Sequence, residues 1–282
     1  MSESHPHERH NREFWDADAD DYQAVHGGDL TARPLAWGAW RIPETELGVL
    51  GDVGGLDVLE LGCGAGQWSI ALAARTARPV GLDQSLVQLK HALANRGAAR
   101  VTVPLVVASG EAVPLRDASF DVVFCDHGAM SFCDPRVTVP EVARLLRPGG
   151  LLAFCQATPL LYLTWDERRE RQDTRLHRSY FGLGRLDLGD GTIDFQFPHS
   201  EWFRVFREHG FSVEDFIELQ PPEDATTTYD DFAPYDWARR WPADRPFRRP
   251  VLPAEHRSPA ERDRARRCQP RRISRHRRRR RS

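Results

Sequence analysis

The stretch D-V-L-E-L-G-C-G-A-G, Asp57 to Gly66, constrains this chain more than any other. An apolar run, Leu56–Leu61, feeds directly into glycines at 62, 64 and 66. Glycine adopts left-handed backbone freely and lets the main chain approach a ligand closely. A continuous apolar strand is buried on both faces, as in a parallel sheet covered by helices. In such sheets a nucleotide binds beyond the carboxyl ends of the strands, where the strand order reverses. The glycines stand at that end. An ordinary tight turn needs fewer glycines than this.

The chain around it alternates accordingly. Residues 8–26 read as an amphipathic helix carrying Phe14, Trp15, Tyr22 and Val25. A Trp37-Gly38, Trp40 loop and a short helix near 44–51 follow. After the glycines, the pattern predicts a helix over Gln67–Arg75 and a strand over Pro79–Leu82 ending in Asp83. Ser85 is placed to cap a helix running to Asn95, with Gly97 as its stop. Val101–Val107 and Phe120–Cys125 read as strands, Pro140–Leu146 as a helix, and Leu151–Cys155 as a further strand. From 157 to 200 the alternation breaks. A helical Trp165–His177 leads to a hairpin turning at Gly189-Asp190-Gly191, then a helix over Ser200–His209 and a strand over Phe211–Leu219.

The glycine spacing separates two cofactors. The dinucleotide fingerprint is G-x-G-x-x-G, whereas here Gln67 stands where the third glycine belongs and the spacing is G-x-G-x-G. Glu60, inside the strand, would repel a pyrophosphate but suits an ammonium or sulfonium. V-L-E-L-G-C-G-A-G resembles motif I of the class I S-adenosylmethionine-dependent methyltransferases. V-G-L-D, ending at Asp83, resembles motif II. A-S-G-E-A-V-P-L (108–115) resembles the adenine-binding segment, F-D-V-V-F-C-D-H-G-A (120–129) motif IV, and R-L-L-R-P-G-G-L-L-A-F (144–154) the turn and strand after it. The resemblance covers roughly residues 50–160, in the manner of the small-molecule "type 11" domains. It implies a doubly wound, mostly parallel, seven-stranded Rossmann-like sheet and S-adenosylmethionine as cofactor.

The resemblance also assigns roles. Gly62, Cys63, Gly64 and Gly66 bring the backbone to the methionine part, with Glu60 supporting the loop or the amino group. Asp83, with Gln84 beside it, holds the ribose, although Asp83 could merely cap the next helix. Ser109, Gly110 and Glu111 flank the adenine; Ser109 departs from the aspartate usual in the family. In relatives the segment before motif I folds over the cofactor, which makes Tyr22 and Trp37 contacts, though tryptophans there are more often core. Asp126 and His127 end the fourth strand beside the expected methyl group. Histidine ionises near pH ~6.5 and could take a proton from an acceptor, or could only shape the pocket. His199, Tyr180 and Glu201 are weaker candidates. Aromatic residues of the 157–200 insert suggest a ring-bearing small molecule as acceptor, or a small core of their own. The acceptor atom stays open between oxygen and nitrogen.

Charge divides the chain. Residues 244–282 hold 16 arginines against four acidic residues, while 1–243 hold 23 basic and 37 acidic residues. The acidic body is a poor match for nucleic acid, leaving only non-specific contact through the tail. Relatives continue into a last antiparallel strand, but prolines at 246, 250, 253, 259 and 270 argue against one here. Only a piece near Phe247–Leu252 could pair, and badly. A polyanion-binding arm competes with out-of-frame translation of a GC-rich gene, and the second is preferred because the tail begins where a strand is needed. The expected organisation is therefore a helical lid over 1–50, a methyltransferase domain over 51–243, and a basic, disordered 244–282 that leaves the last strand missing or altered. No apolar run of membrane-spanning length exists, no signal peptide is visible, and five scattered cysteines form no C-x-x-C pair, so no metal site is expected and the chain reads as cytoplasmic. The rivals are a nicotinamide-dependent oxidoreductase and a cofactor-binding protein without turnover.

Overall fold

The computed structural model describes residues 5–187, 191–229 and 231–250. Its centre is a seven-stranded sheet: β1 Asp57–Leu61, β2 Arg78–Asp83, β3 Leu105–Val107, β4 Phe120–Asp126, β5 Leu146–Ala157, β6 Asp215–Phe216 and β7 Asp244–Pro250. The spatial order is β6–β7–β5–β4–β1–β2–β3. Strands β1 to β5 are parallel, and β7 runs antiparallel between β5 and β6. The order reverses between β1 and β4, so their carboxyl ends open a crevice there.

The period of two explains the layering. Val58, Val122, Phe124 and Ala153 share one core cluster with Trp37 and Trp68, while Leu59, Val123, Cys125 and Leu152 belong to the other. Helices α2 Gln67–Ala73, α3 Leu86–Ala99, α4 Pro135–Leu145 and α5 His199–Glu208 cover the two faces; α1 Pro6–Ala32 lies across the crevice. Ser85 caps α3 through its side chain, accepting from Gln88 N. Gly97 does not stop α3. The helix runs to Ala99 and ends at Arg100, in left-handed backbone, because a β-carbon-free residue inside a helix weakens it without breaking it.

The largest correction concerns β7. The segment expected to be unstructured tail pairs with β5 over its whole length, from Asp244 opposite Ala157 to Pro250 opposite Leu151. Two prolines fit because they are four residues apart. Ile217 N donates to the Pro246 carbonyl and Ser212 N to the Pro250 carbonyl. In an antiparallel strand a residue's N–H and C=O point the same way, so both missing donors face the irregular edge strand and the β5 ladder is intact. Phe247 is fully buried and stacks on Phe154 at 4.8 Å. The sheet therefore has its last strand; residues 251–282 lie outside the described residues, and so does any arm they form.

Smaller corrections fall in the insert. Trp165–His177 is not helical. Trp165–Asp166 pairs with Arg171–Gln172 as a hairpin, because the Asp166 side chain accepts from Arg168 N and starts a turn that the charged residues ride on. Arg185–Asp187 pairs with Ile193–Phe195, as the alternation of Ile193 and Phe195 requires, while 188–190 of that turn lie outside the described residues. No described helix is long and apolar enough to cross a membrane.

Candidate cofactor and acceptor site

A cavity of about 580 Å³ opens at the carboxyl ends of β1, β2 and β4, a size suited to one cofactor-sized ligand and a small second molecule. Its floor is the glycine turn. Gly62, Gly64 and Gly66 all have positive φ. At Gly62 a β-carbon would sit 2.5 Å from Ala129 N, so only glycine lets the β1 and β4 turns touch. At Gly64, whose N donates to Asp83 at 2.8 Å, a β-carbon would meet nothing nearer than Gln88 Oε1 at 3.7 Å. That backbone faces open cavity.

The carboxylates take distinct positions. Glu60 is buried, accepts from Ser69 N at 3.0 Å and from Ser69 Oγ at 2.5 Å, and is pushed up to about 8 by burial against those hydrogen bonds. Asp83 accepts from Gly64 N and Ser85 N, one on each oxygen, and burial raises it too. Each carboxylate oxygen keeps a second acceptor position. Gln84, Cys63, Gly110 and Tyr22 also line the cavity. Tyr22 comes from α1, with its hydroxyl 2.7 Å from that of Tyr229.

Four expected contacts lie outside the lining. Trp37 is fully buried in the core, donating to Glu44 Oε2 at 2.5 Å and packing on Trp68. Gly66 caps α2 behind the floor, close to Ala92. Ser109 turns its hydroxyl to Glu111 N. Glu111 Oε1 accepts from Asp134 N and lies 2.6 Å from His7 Nε2, anchoring the start of α1. A short polar side chain next to a glycine gave no clue to which way it would point.

Asp126 and His127 line the same cavity from the end of β4. Asp126 accepts from Gly38 N at 3.1 Å and from Arg41 at 3.4 Å; burial raises it, against the pull of His127 and Arg41. His127 sits in left-handed backbone, φ 54°, with its N bonded to Cys155 O. Its Nε2 is 2.8 Å from Asp244 Oδ1 on β7. Burial alone would lower this imidazole, but Asp244, together with Asp126 and Asp194, outweighs it and the net direction is up. Gly38, Arg41 and Asp244 were not foreseen. The alternation D-x-P-x-R-x-P over 244–250 was the available signal for the last of them.

The donor set fits S-adenosylmethionine. Glu60 offers an acidic acceptor for the ammonium group, Asp83 two acceptors for the ribose, and Gly64 bare backbone between them. The comparisons agree. Residues 59–154 match the family described as "Methyltransferase domain". A demethylmenaquinone methyltransferase from Clavibacter sepedonicus is 35% identical over 121 residues, 43% of this chain and 48% of that protein. A malonyl-[acyl-carrier protein] O-methyltransferase from Pseudescherichia vulneris is 32% identical over 139 residues, 48% of this chain and 52% of that protein. This chain thus spans about half the length of the curated relatives it matches. A solved S-adenosylmethionine-dependent methyltransferase from Mesorhizobium loti shares the fold, with a TM-score of 0.60 at 21% identity over 73% of this chain and 95% of that one. Fold and site define the class I, Rossmann-like type. Residues 59–154 form an S-adenosylmethionine-dependent methyltransferase domain, and these matches give the nicotinamide alternative no support.

Proposed function

We propose that this chain transfers a methyl group from S-adenosylmethionine to a small, ring-bearing acceptor through oxygen or nitrogen. The observation that carries this is one cavity lined by Glu60 and Asp83 together with Asp126 and His127. When bound, the cofactor supplies a methyl on a positively charged sulfur, which is a good leaving group. The protein's task is to align acceptor and methyl and to exclude water. Glu60 and Asp83 fix the amino and ribose ends. The lid residues Trp15 and Tyr22 close over the same cavity. His127 takes the acceptor's proton, a step needed where the acceptor is too weakly acidic to lose it unaided.

The relatives' printed substrates are a demethylmenaquinone and a malonyl group on a carrier protein. For this chain the cavity favours the first kind of chemistry. Tyr162, Trp165 and Phe232 also line it, and the one guanidinium among the described lining residues, Arg41, is already engaged by Asp126. Among the described lining residues an acceptor carboxylate finds no unengaged guanidinium, whereas an uncharged ring finds aromatic faces.

The test is calorimetric titration of S-adenosylmethionine and S-adenosylhomocysteine into the full chain. Both should bind, and Asp83→Ala should weaken both at least ~10-fold, the scale of one lost charge-assisted hydrogen bond. A folded wild-type protein that binds neither removes the proposal.

A further inference from the structure

We propose that Asp244, on the last strand, is the positioning residue for His127, fixing the imidazole so that Nδ1 is its proton-accepting atom. The inference rests on the methyl-transfer reading above for its function, though not for its chemistry. Asp244 is 1% exposed, and its two oxygens face two parts of the site. Oδ1 lies 2.8 Å from His127 Nε2, and Oδ2 accepts from Ala39 N at 2.9 Å.

An ionised carboxylate only accepts hydrogen bonds. Oδ1 has no aligned hydrogen bond, but at 2.8 Å a bare Nε2 would set its lone pair against the carboxylate oxygen, so a neutral imidazole keeps its proton on Nε2 and the lone pair on Nδ1. Among the described residues Nδ1 has no hydrogen-bond partner, and the His127 side chain is 29% exposed, in the cavity lining. Cys155 Sγ, 3.9 Å from Nε2, lies on the Asp244 side of the ring. The other charged groups around it are Asp126, its chain neighbour, held by Arg41, and Asp194 of the insert.

The step balances for an acceptor bearing O–H. The acceptor oxygen forms its bond to the methyl carbon, and the carbon–sulfur pair stays on sulfur. The hydroxyl proton passes to Nδ1, and the resulting imidazolium faces Asp244. The same carboxylate ties the 38–41 loop to the base. Ala39 N bonds Asp244 while Gly38 N bonds Asp126, so the loop bridges the ends of β7 and β4. A β-carbon on Gly38, at φ 70°, would lie 2.7 Å from Asp244 Oδ2. The loop's approach thus depends on that glycine.

The decisive measurement is the ring 15N spectrum of His127 against pH in the cofactor-free full chain, assigned by its loss in His127→Gln. Neutral His127 should carry its proton on Nε2. In Asp244→Asn the single oxygen stays with Ala39 N and the amide NH2 faces the ring, which should move the proton to Nδ1 and lower the titration midpoint by about one pH unit. In turnover the variant should lose ~100-fold or more in kcat with little change in KM for S-adenosylmethionine. A wild-type ring protonated on Nδ1 overturns the proposal, even where the variant does not fold. So does a folded variant whose tautomer and midpoint are unchanged. Failure of cofactor binding would sink the methyl-transfer reading instead, and would leave the tautomer result standing.

Discussion

Among single residues, Glu60 has the clearest pH consequence. Its carboxyl holds a proton up to about 8 in the folded chain, against an ordinary 4.5, because burial outweighs the two bonds from Ser69. The folded state therefore binds the extra proton between those values. Stability of the cofactor-free protein should fall as pH rises from 4.5 toward 8, and Glu60→Gln should flatten that slope, as thermal unfolding across the window would show. Cofactor binding adds a second sign. A bound ammonium favours the carboxylate, so at pH 7 binding should release about one proton. Calorimetry in two buffers of different ionisation enthalpy measures this, and Glu60→Gln should abolish the release. The positions of Glu60, Asp83, Gly62 and Gly64 in the cavity lining were legible in sequence because they follow from strand ends and backbone shape. The direction of the Ser109, Glu111 and Trp37 side chains was not, because Asp134, His7 and Glu44, which hold two of them, come from distant or non-periodic segments.

Whole elements were legible where periodicity is clear, as in β1, β2, β4 and β5 and in α3 at its Ser85 start; β3 forms only over Leu105–Val107 of the run expected from Val101. β7 was misread because proline was judged by number and not by parity. Prolines at 246 and 250 share one side of the strand, and the partner on that side is the short, irregular β6. The side chains between them do the packing. Phe247 touches the Phe154, Trp202 and Phe216 rings, at centroid distances of 4.8, 5.9 and 4.9 Å. Phe247→Ala should cost about 3–5 kcal/mol in a denaturant titration, as for other large buried aromatics. Moving a proline by one residue separates parity from composition. Exchanging Pro246 and Phe247 would aim a missing donor at β5 and expel the aromatic from the core, so that double variant should be insoluble. Arg245, fully buried on the same strand, donates to Gln196 and approaches His199 Nε2 at 2.6 Å. Burial and that cation hold His199 down to about 4, so it stays neutral at working pH and can accept.

At the scale of the molecule, the cavity is closed by an element that the sheet does not hold. Helix α1 has 27 residues, of which only Glu8, Asn11 and Ala19 are buried. Its start is anchored by the buried Asn11, bonded to Ile193 and to Phe132 O, and by Trp15 against Phe132, while the rest is fastened by polar contacts: Asp16 to Ser85, Asp20 to His91, Gln23 to Gln88 and Tyr22 to Tyr229. The exposed ones among these, such as Asp20 to His91, contribute little each, because water competes for both partners. The inner strands beneath, β1, β2, β4, β5 and β7, pair on both edges, and β4 and β5 are largely buried. Local opening of α1 should therefore cost far less than global unfolding. Trp15, Asp18 and Tyr22 of α1 line the cavity together with Glu60 and Asp83 of the sheet, so a ligand seated there touches both. It stabilises the closed arrangement by its differential affinity for it. Amide hydrogen exchange tests this directly. Without cofactor, α1 amides should exchange orders of magnitude faster than those of β4 and β5. Saturating S-adenosylhomocysteine should slow α1 and the 38–41 loop selectively, leaving the central strands unchanged. Uniform slowing across the sheet would mean that the ligand stabilises the whole fold and that α1 is part of it. Slowing confined to α1 and the loop would identify the helix as the element whose docking completes the site.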